Sequence, residues 1–398
     1  MFRHLAPVTT PLAPATLLRG LSSPSDAVER FAKSLYNYLN VPACFLAASG
    51  RTALYLLLKT LLADPAYQGR RVVILPAYTC PSLAKVVLDL GLEPWLVDIA
   101  PTTFAYDLNE LAVQLNEQTL AVLLVHPFGI PQAVAPIQKL TAEVGAVLIE
   151  DAAQSLGAMV AGKPVGTLGD YGLFSLGPGK PLSTGGGGFV CAHDPVKINR
   201  LAETWRTLPR PAASASRFAV ARLAAFTLAF HPQGWWLATR AGAQRVGENE
   251  ASWGYAVQGL TPAQATIGLA QLPHLTDYNR ERRAKAEQLI TQLQALDNVR
   301  IPASDAGDSA APIYLRLPVL LASEALREKL FAQLWAAGIG VGRMYGRTMA
   351  EFFPKAKRGA YPGAEQIARQ LLTLPTHHYV TEQDMARMGQ IFRAHTGG

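Results

Sequence analysis

Between Asp26 and Gln154 the chain alternates short apolar, β-rich runs with helical patterns, and this alternation restricts the fold more than any other feature. Repeated strand–helix–strand units build a mostly parallel sheet with helices on both faces. Strands are expected at Cys44–Ala47, Val72–Leu75, Pro94–Val97, Leu120–Val125 and Ala146–Ile149, and helices at Thr52–Leu62, Ser82–Leu90, Leu108–Asn116 and Pro131–Val144. The strands are nearly continuous apolar runs, as required where neither face of a sheet meets water. Several helices are entered through Ser, Thr, Asp or Pro, residues that suit a first turn.

The 398 residues are 49% hydrophobic and 16% charged, against about 25% charged in an average soluble protein. Disorder and miniature folds are thereby excluded, and a large or oligomeric body is expected. The net charge is +7, but the basic residues are scattered singly, without the aromatic interleaving of a nucleic-acid groove. The charge either attracts anionic small molecules mildly or has no functional meaning. Cys44, Cys80 and Cys191 have no zinc-site or disulfide-framework spacing, so no metal is expected and a reducing cytoplasm is the natural compartment. Pro7, Pro11 and Pro14 break the N-terminal apolar residues, unlike a signal-peptide core.

Beyond Gly162 glycine becomes frequent; Gly185–Gly188 are consecutive and lead into a strand at Phe189–Ala192. Phe218–Phe230 carries only Arg222 as a charge and reads as a helix apolar nearly all round, ended by Pro232, Gly234 and the Trp235–Trp236 pair. It either packs on the body or a partner subunit, or joins Trp235, Trp236 and Arg240 in a peripheral membrane contact across Phe218–Trp236; it is too short to span. A long helix, Pro262–Leu296, then opens a smaller α/β unit with a strand at Ile313–Leu317, a helix at Glu324–Ala337 and a last helix at Glu382–Phe392. The expected division is 1–258, with a variable helical region over 209–258, and 259–398.

Chemistry concentrates in Ile149–Ala158 and Gly169–Gly188. Asp151 follows a hydrophobic strand at the carboxyl end of a parallel sheet, where open α/β folds bind ligands. A carboxylate there needs a cation or donors. Lys180 lies between Gly179 and Pro181, and Ser175 ends another short strand. A lysine, a buried acid, a hydroxyl and a glycine loop together suit pyridoxal 5'-phosphate: the amine holds its aldehyde as a Schiff base, the acid keeps the ring nitrogen protonated, and hydroxyl and N–H groups hold the phosphate. The turn Ala48–Leu57 offers N–H groups at Gly50, Arg51 and Thr52 for an anion, and Tyr78, Thr79 and Cys80 end the next strand. A phosphate-loop GxxxxGK[ST] fails at Phe174 and Pro181, and no GxGxxG follows the first strand.

SGRTAL, PAYT, VHPFG (Val125–Gly129), EDAAQS, then GD, FS and a lysine followed by glycines, and LPTHH (Leu374–His378) stand in an order and spacing similar to those of the DegT/StrS family of sugar aminotransferases. The resemblance runs from about Ala48 to the C-terminus. It implies a fold type I pyridoxal phosphate enzyme that is a homodimer with active sites at the subunit boundary. It casts Lys180 as the Schiff-base lysine, Asp151 as the partner of the ring nitrogen, Gln154 as a residue beside the ring, Ser175 as a phosphate ligand and Gly50–Thr52 as the phosphate turn. His126 resembles a position on the cofactor side of the sheet, and Lys180 argues against the family's dehydratase branch. Three positions depart from the pattern. Arg51 stands where Thr or Ser is usual, Cys80 where many members stack an aromatic residue on the ring, and Val257 where the partner subunit usually lends an asparagine. Arg51 either replaces that phosphate contact with a bidentate charged grip or points to a substrate anion.

The expected activity is amino transfer from an amino acid, glutamate, to a keto sugar that is nucleotide-linked, for cell-surface polysaccharide or secondary-metabolite synthesis. The alternatives are a lyase or other amino-acid enzyme with the same cofactor, and an inactive regulatory or membrane-associated homologue.

Overall fold

A strand buried on both sides must be apolar at every position, and the central strands meet that demand. The computed structural model of the chain describes residues 2–240 and 254–396. It opens with α1 (Pro14–Leu21) and α2 (Ala27–Leu39), followed by β1 (Ala43–Ala47), α3 (Gly50–Leu62), β2 (Val72–Pro76), α4 (Pro81–Asp89) and β3 (Glu93–Val97). Next come α5 (Leu108–Gln114), β4 (Thr119–Val125), α6 (Ala135–Glu143), β5 (Val147–Asp151), the hairpin β6 (Met159–Val160) and β7 (Lys163–Pro164), β8 (Tyr171–Ser175) and β9 (Gly188–Ala192). Helices α7 (Pro195–Arg206), α8 (Ala213–Phe230) and α9 (Pro232–Arg240) lead away from the sheet. The remainder holds α10 (Pro262–Gln271), α11 (Leu275–Leu293), β10 (Val299–Arg300), β11 (Ala310–Ala311), β12 (Leu317–Leu321), α12 (Glu324–Ala336), α13 (Met349–Phe352), α14 (Pro362–Gln370), β13 (Leu371–Leu374) and α15 (Glu382–Thr396).

The main sheet has the order β1-β9-β8-β5-β4-β2-β3. β9 runs antiparallel to both its neighbours, and the other neighbouring pairs are parallel. Every strand except β9 therefore points the same way. β2 and β5 are buried throughout, whereas edge strand β1 is only partly buried at Ala43 and Phe45. Helix starts are fixed locally: Ser49, Asp107 and Asp194 cap α3, α5 and α7 with side-chain oxygens, and a capping box of Thr261 and Gln264 opens α10 behind Pro262. A smaller sheet, β10-β12-β13, packs with α11, α12 and α15 around Leu317, Val319, Leu334 and Phe392. Leu5 belongs to that cluster, bridges to Ile339, and is followed by a segment that returns to the large unit.

The α/β architecture with a mostly parallel sheet is as expected; several elements are not where the sequence pattern puts them. The helix expected from Pro131 starts at Ala135, because the Gln132 N–H is taken by His126 Nδ1 at 2.9 Å. The helix expected over Pro262–Leu296 is two, α10 and α11, separated by a turn at Leu272–His274 whose Pro273 cannot donate a helical hydrogen bond. The strand expected at Ile313–Leu317 is β12, displaced to Leu317–Leu321: Ile313 N–H is bound by the Gly129 carbonyl and Tyr314 sits at φ 46°. Phe218–Phe230 lies within α8, but Pro232 begins α9 rather than ending helical structure. Val220 and Leu223 pack against Ala263 and Ile267, while Phe218 and Leu228 are 68% and 72% exposed on the outer face. Among the described residues no helix is long and apolar enough to cross a membrane.

Candidate active site

At the common carboxyl edge of the parallel strands, β5 ends on Asp151, β8 on Ser175, β2 leads through Tyr78 and Thr79 to Cys80, β4 runs into His126, and β1 passes Ser49 to the start of α3. Tyr78, Thr79, Phe104, Phe128, Gln154 and Tyr345 line a cleft there. Phe104 and Phe128 adopt φ of 64° and 58°, a costly backbone region for aromatic residues that surrounding structure must impose.

Asp151 is buried; its Oδ1 accepts the Ala153 N–H at 3.0 Å, and it makes no ion pair among the described residues. Burial pushes its carboxyl above the ordinary range, while the Ala153 N–H and the fields of Lys180 and His126 pull the other way. Desolvation lowers the Lys180 amine from the ordinary lysine range; Cys80 and Asp151 oppose that shift and Arg316 adds to it. Lysine and acid thus share one electrostatic environment with Cys80 and Arg316. The lysine is held through its backbone. Its carbonyl accepts the Thr10 hydroxyl at 2.7 Å, and Gly179, at φ +71°, leaves no room for a Cβ beside Val8. Gln154 is held at both ends, Oε1 accepting the Phe128 N–H at 3.0 Å and Nε2 donating to the Tyr345 hydroxyl at 3.4 Å.

Beside Asp151 lies a second carboxylate, Glu150, fully buried. Its Oε1 accepts the N–H groups of Leu168 and Gly169 at 2.6 Å, and its Oε2 accepts the Gly166 N–H at 2.8 Å and His126 Nε2 at 3.0 Å. Burial works to raise its pKa, but His126 and these backbone donors outweigh it and the carboxyl lies below its usual range. Because His126 Nδ1 accepts the Gln132 N–H, the ring proton sits on Nε2. His126 is thus a satisfied buried group turned to Glu150, not a side chain facing the cleft.

At the other end of the cleft, Gly50 abuts Ser175, whose Oγ lies 3.5 Å from where a Gly50 Cβ would stand and accepts the Gly177 N–H at 3.3 Å. The free N–H expected at Thr52 is not there: Ser49 Oγ accepts it at 3.0 Å, and the buried Thr52 hydroxyl donates to the Ala256 carbonyl at 2.8 Å. Helix capping has claimed this residue for structure. Arg51 lies 5.9 Å from the centroid of the Tyr255 ring, on the same segment as Val257. The four glycines form a fixed wall rather than a loose turn. Gly187 N–H donates to Ala48 and its carbonyl accepts from Leu176, Arg222 donates to Gly185, and a Cβ on Gly188 would lie 2.4 Å from Gly50 N.

Lys180, Asp151, Cys80 and Gln154 are thus brought together, with Ser175 and Gly50 adjacent. Tyr78 packs edge-on to Tyr345 at 5.4 Å. Cys80 is half-buried at the N-cap of α4. Tyr345, Arg316, Glu150 and Thr10 were not anticipated. A signal existed for two of them: Glu150 is a second acid inside a buried strand, and Arg316 is a lone charge in an apolar run.

Comparison with known proteins agrees with this fold. The aminotransferase TlmJ from Streptoalloteichus hindustanus superposes with TM-score 0.78 at 24% identity over 99% of each chain. A putative sugar aminotransferase of Streptococcus pneumoniae in its PLP form superposes with TM-score 0.78 at 17% identity over 99% of each chain. The UDP-N-acetyl-3-dehydro-alpha-D-glucosamine 3-aminotransferase of Acidithiobacillus ferrooxidans is 29% identical over 87% of this chain and 82% of its own length. The L-glutamine:2-deoxy-scyllo-inosose aminotransferase of Streptoalloteichus tenebrarius is 27% identical over 94% and 86%. The sequence profile of the DegT/DnrJ/EryC1/StrS aminotransferase family matches residues 15–393, and the chain belongs to that family.

Proposed function

We propose that the chain uses pyridoxal 5'-phosphate to transfer an amino group from an amino acid, glutamate, to a nucleotide-linked keto sugar, acting as a homodimer. The observation that carries this reading is the desolvated amine of Lys180 sharing its surroundings with the buried, ion-pair-free Asp151 at the carboxyl edge of the sheet. Such a carboxylate fits a cofactor that brings a protonated ring nitrogen, since a buried charge needs a counter-charge. The cofactor, when bound, supplies an aldehyde that takes up amines and a ring that withdraws electrons from the substrate's α-carbon.

The chain's own residues supply the rest. Lys180, its amine pushed toward the neutral form, would hold the cofactor and move a proton at the donor's α-carbon through Nζ. Asp151 would hold the ring nitrogen charged, and Gln154, fixed by Phe128 and Tyr345, would stand beside the ring. Gly50, Ser175 and Arg51 take the phosphate at the positive end of α3, with Arg51 adding a full charge. The apolar cleft excludes water.

Absorption of the purified protein with added cofactor tests this reading. A visible band is expected that Lys180→Ala abolishes and L-glutamate bleaches. A protein that stays colourless with cofactor, or a band indifferent to the lysine, contradicts it.

A further inference from the structure

Helices α1, α8 and α9 carry a surface unlike the rest of the protein. The inner side of α8 is committed to packing: Val220 and Leu223 meet Ala263 and Ile267, and Arg222 donates to the Gly185 carbonyl at 2.7 Å. Its outer side is a helical stripe, Phe218, Ala221, Ala225 and Leu228, in which every residue is apolar and exposed. On α9, Leu237 is exposed, and the half-buried Trp236 meets Phe2 edge-on at 4.9 Å. Leu18 and Leu21 are exposed on α1, which packs against α8. Of the described large apolar side chains that are more than 60% exposed, all but Val113 stand on these three helices or at Phe2. Single exposed leucines are ordinary, but such a concentration marks a surface that something covers.

The charge on the same segments identifies the cover. From Thr204 to Arg240 the sequence has five arginines and no Asp or Glu, and residues 1–25 have Arg3 and Arg19 and again no acid. These seven equal the whole net charge of +7, leaving 29 basic against 29 acidic residues elsewhere. Arg3 is paired with Asp384, but Arg19, Arg210, Arg217 and Arg240 are exposed and make no ion pair among the described residues. Arg240 lies 4.6 Å from the centroid of the Trp236 ring, so a cation and an amphipathic aromatic share one place. A second copy of the chain is a poor match, because a two-fold contact would set this face against itself, arginine toward arginine, with no carboxylate on these segments to separate them. A bilayer with anionic headgroups matches both halves of the surface: the apolar stripe sinks to the acyl boundary while the guanidinium groups stay among the phosphates.

We propose that α1, α8 and α9 form a docking surface for an anionic lipid bilayer, on which the protein lies without spanning it. Because the inner side of α8 is fixed on Gly185, the helix docks as part of the folded body, and one helix diameter, about 10 Å, separates the lipid surface from the glycine wall. The contact is independent of the reaction in the cleft.

Flotation of the full chain with vesicles tests this, using phosphatidylcholine alone and phosphatidylcholine with about one third phosphatidylglycerol. Wild type is expected to rise with the phosphatidylglycerol vesicles, to stay in the soluble layer with phosphatidylcholine alone, and to be released near 1 M salt, where charges are screened beyond about 3 Å. Replacing both Arg217→Gln and Arg240→Gln is expected to weaken partitioning roughly 25-fold, at about fivefold for each arginine. Replacing both Phe218→Ser and Leu228→Ser is expected to weaken it about tenfold or more. All four side chains are exposed, so the thermal unfolding midpoint is expected to be unchanged in both double variants. Wild type left in the soluble layer with both vesicle types, equal flotation with both, or double variants that float as well as wild type overturn the proposal. So does self-association of wild type, read by analytical ultracentrifugation, that Phe218→Ser with Leu228→Ser abolishes while no vesicle is bound; the face then belongs to a second copy.

Discussion

Glu150 and Asp151 are adjacent in sequence and both buried, yet their surroundings divide them. Four donors saturate Glu150, so it stays charged and ties His126 to the turn at Gly166–Gly169. Asp151 accepts one backbone N–H and makes no ion pair among the described residues. Glu150→Gln replaces an acceptor-only oxygen with an NH2 that faces backbone donors; a loss of about 3 kcal/mol in urea unfolding is expected, with no comparable loss from Glu143→Gln on the exposed end of α6. Lys180, Asp151, Gln154 and Cys80 were legible in the sequence because each follows a recognisable strand. Arg316 and Tyr345 were not, because they arrive from far along the chain on non-strand segments shaped by tertiary contacts such as Ile313 N–H to Gly129.

At the scale of elements, the anion end depends on how closely α3 approaches β8 and β9. Gly188 makes that approach possible: its absent Cβ would stand 2.4 Å from Gly50 N and 2.7 Å from the Phe174 carbonyl, both backbone atoms that cannot swing aside. Gly188→Ala therefore displaces the first turn of α3. The expected result is a fall in stability of about 1–3 kcal/mol together with weaker cofactor binding, read by thermal unfolding and cofactor titration. The pattern of alternating elements up to Gln154 was recoverable because apolar period and caps agree there. It misled at Pro131 and across Pro273, where a side-chain acceptor and a missing N–H end the helix without changing the apolar spacing, and at Ile313–Leu317, where the apolar run is longer than the strand.

Across the whole molecule, the N-terminal segment links the small-sheet cluster to the Lys180 loop. Arg3 pairs with Asp384 at 2.7 Å, Leu5 enters the small core, His377 Nε2 donates to the Ala6 carbonyl at 2.9 Å, and Thr10 holds the Lys180 loop. Three histidines sit on this seam. Burial pushes His4 and His378 down to about 4 and His377 down to about 3. The folded state therefore refuses protons that the unfolded chain accepts below about 6.5. Their contribution is fully present above that pH and is lost as pH falls toward 4, by at most about 1.4 kcal/mol per pH unit for each histidine. Urea unfolding at pH 7 and pH 5 is expected to show lower stability at the acid pH, with a shallower dependence in His377→Gln; equal slopes would remove His377 from the seam's titration.

The central claim, that this cleft exchanges amino groups, is tested most directly by mixing the cofactor-loaded protein with L-glutamate in the absence of any keto sugar and measuring 2-oxoglutarate. Close to one equivalent per bound cofactor is predicted for wild type and none for Lys180→Ala. No 2-oxoglutarate from wild type, or a product with a broken carbon chain, would contradict the account.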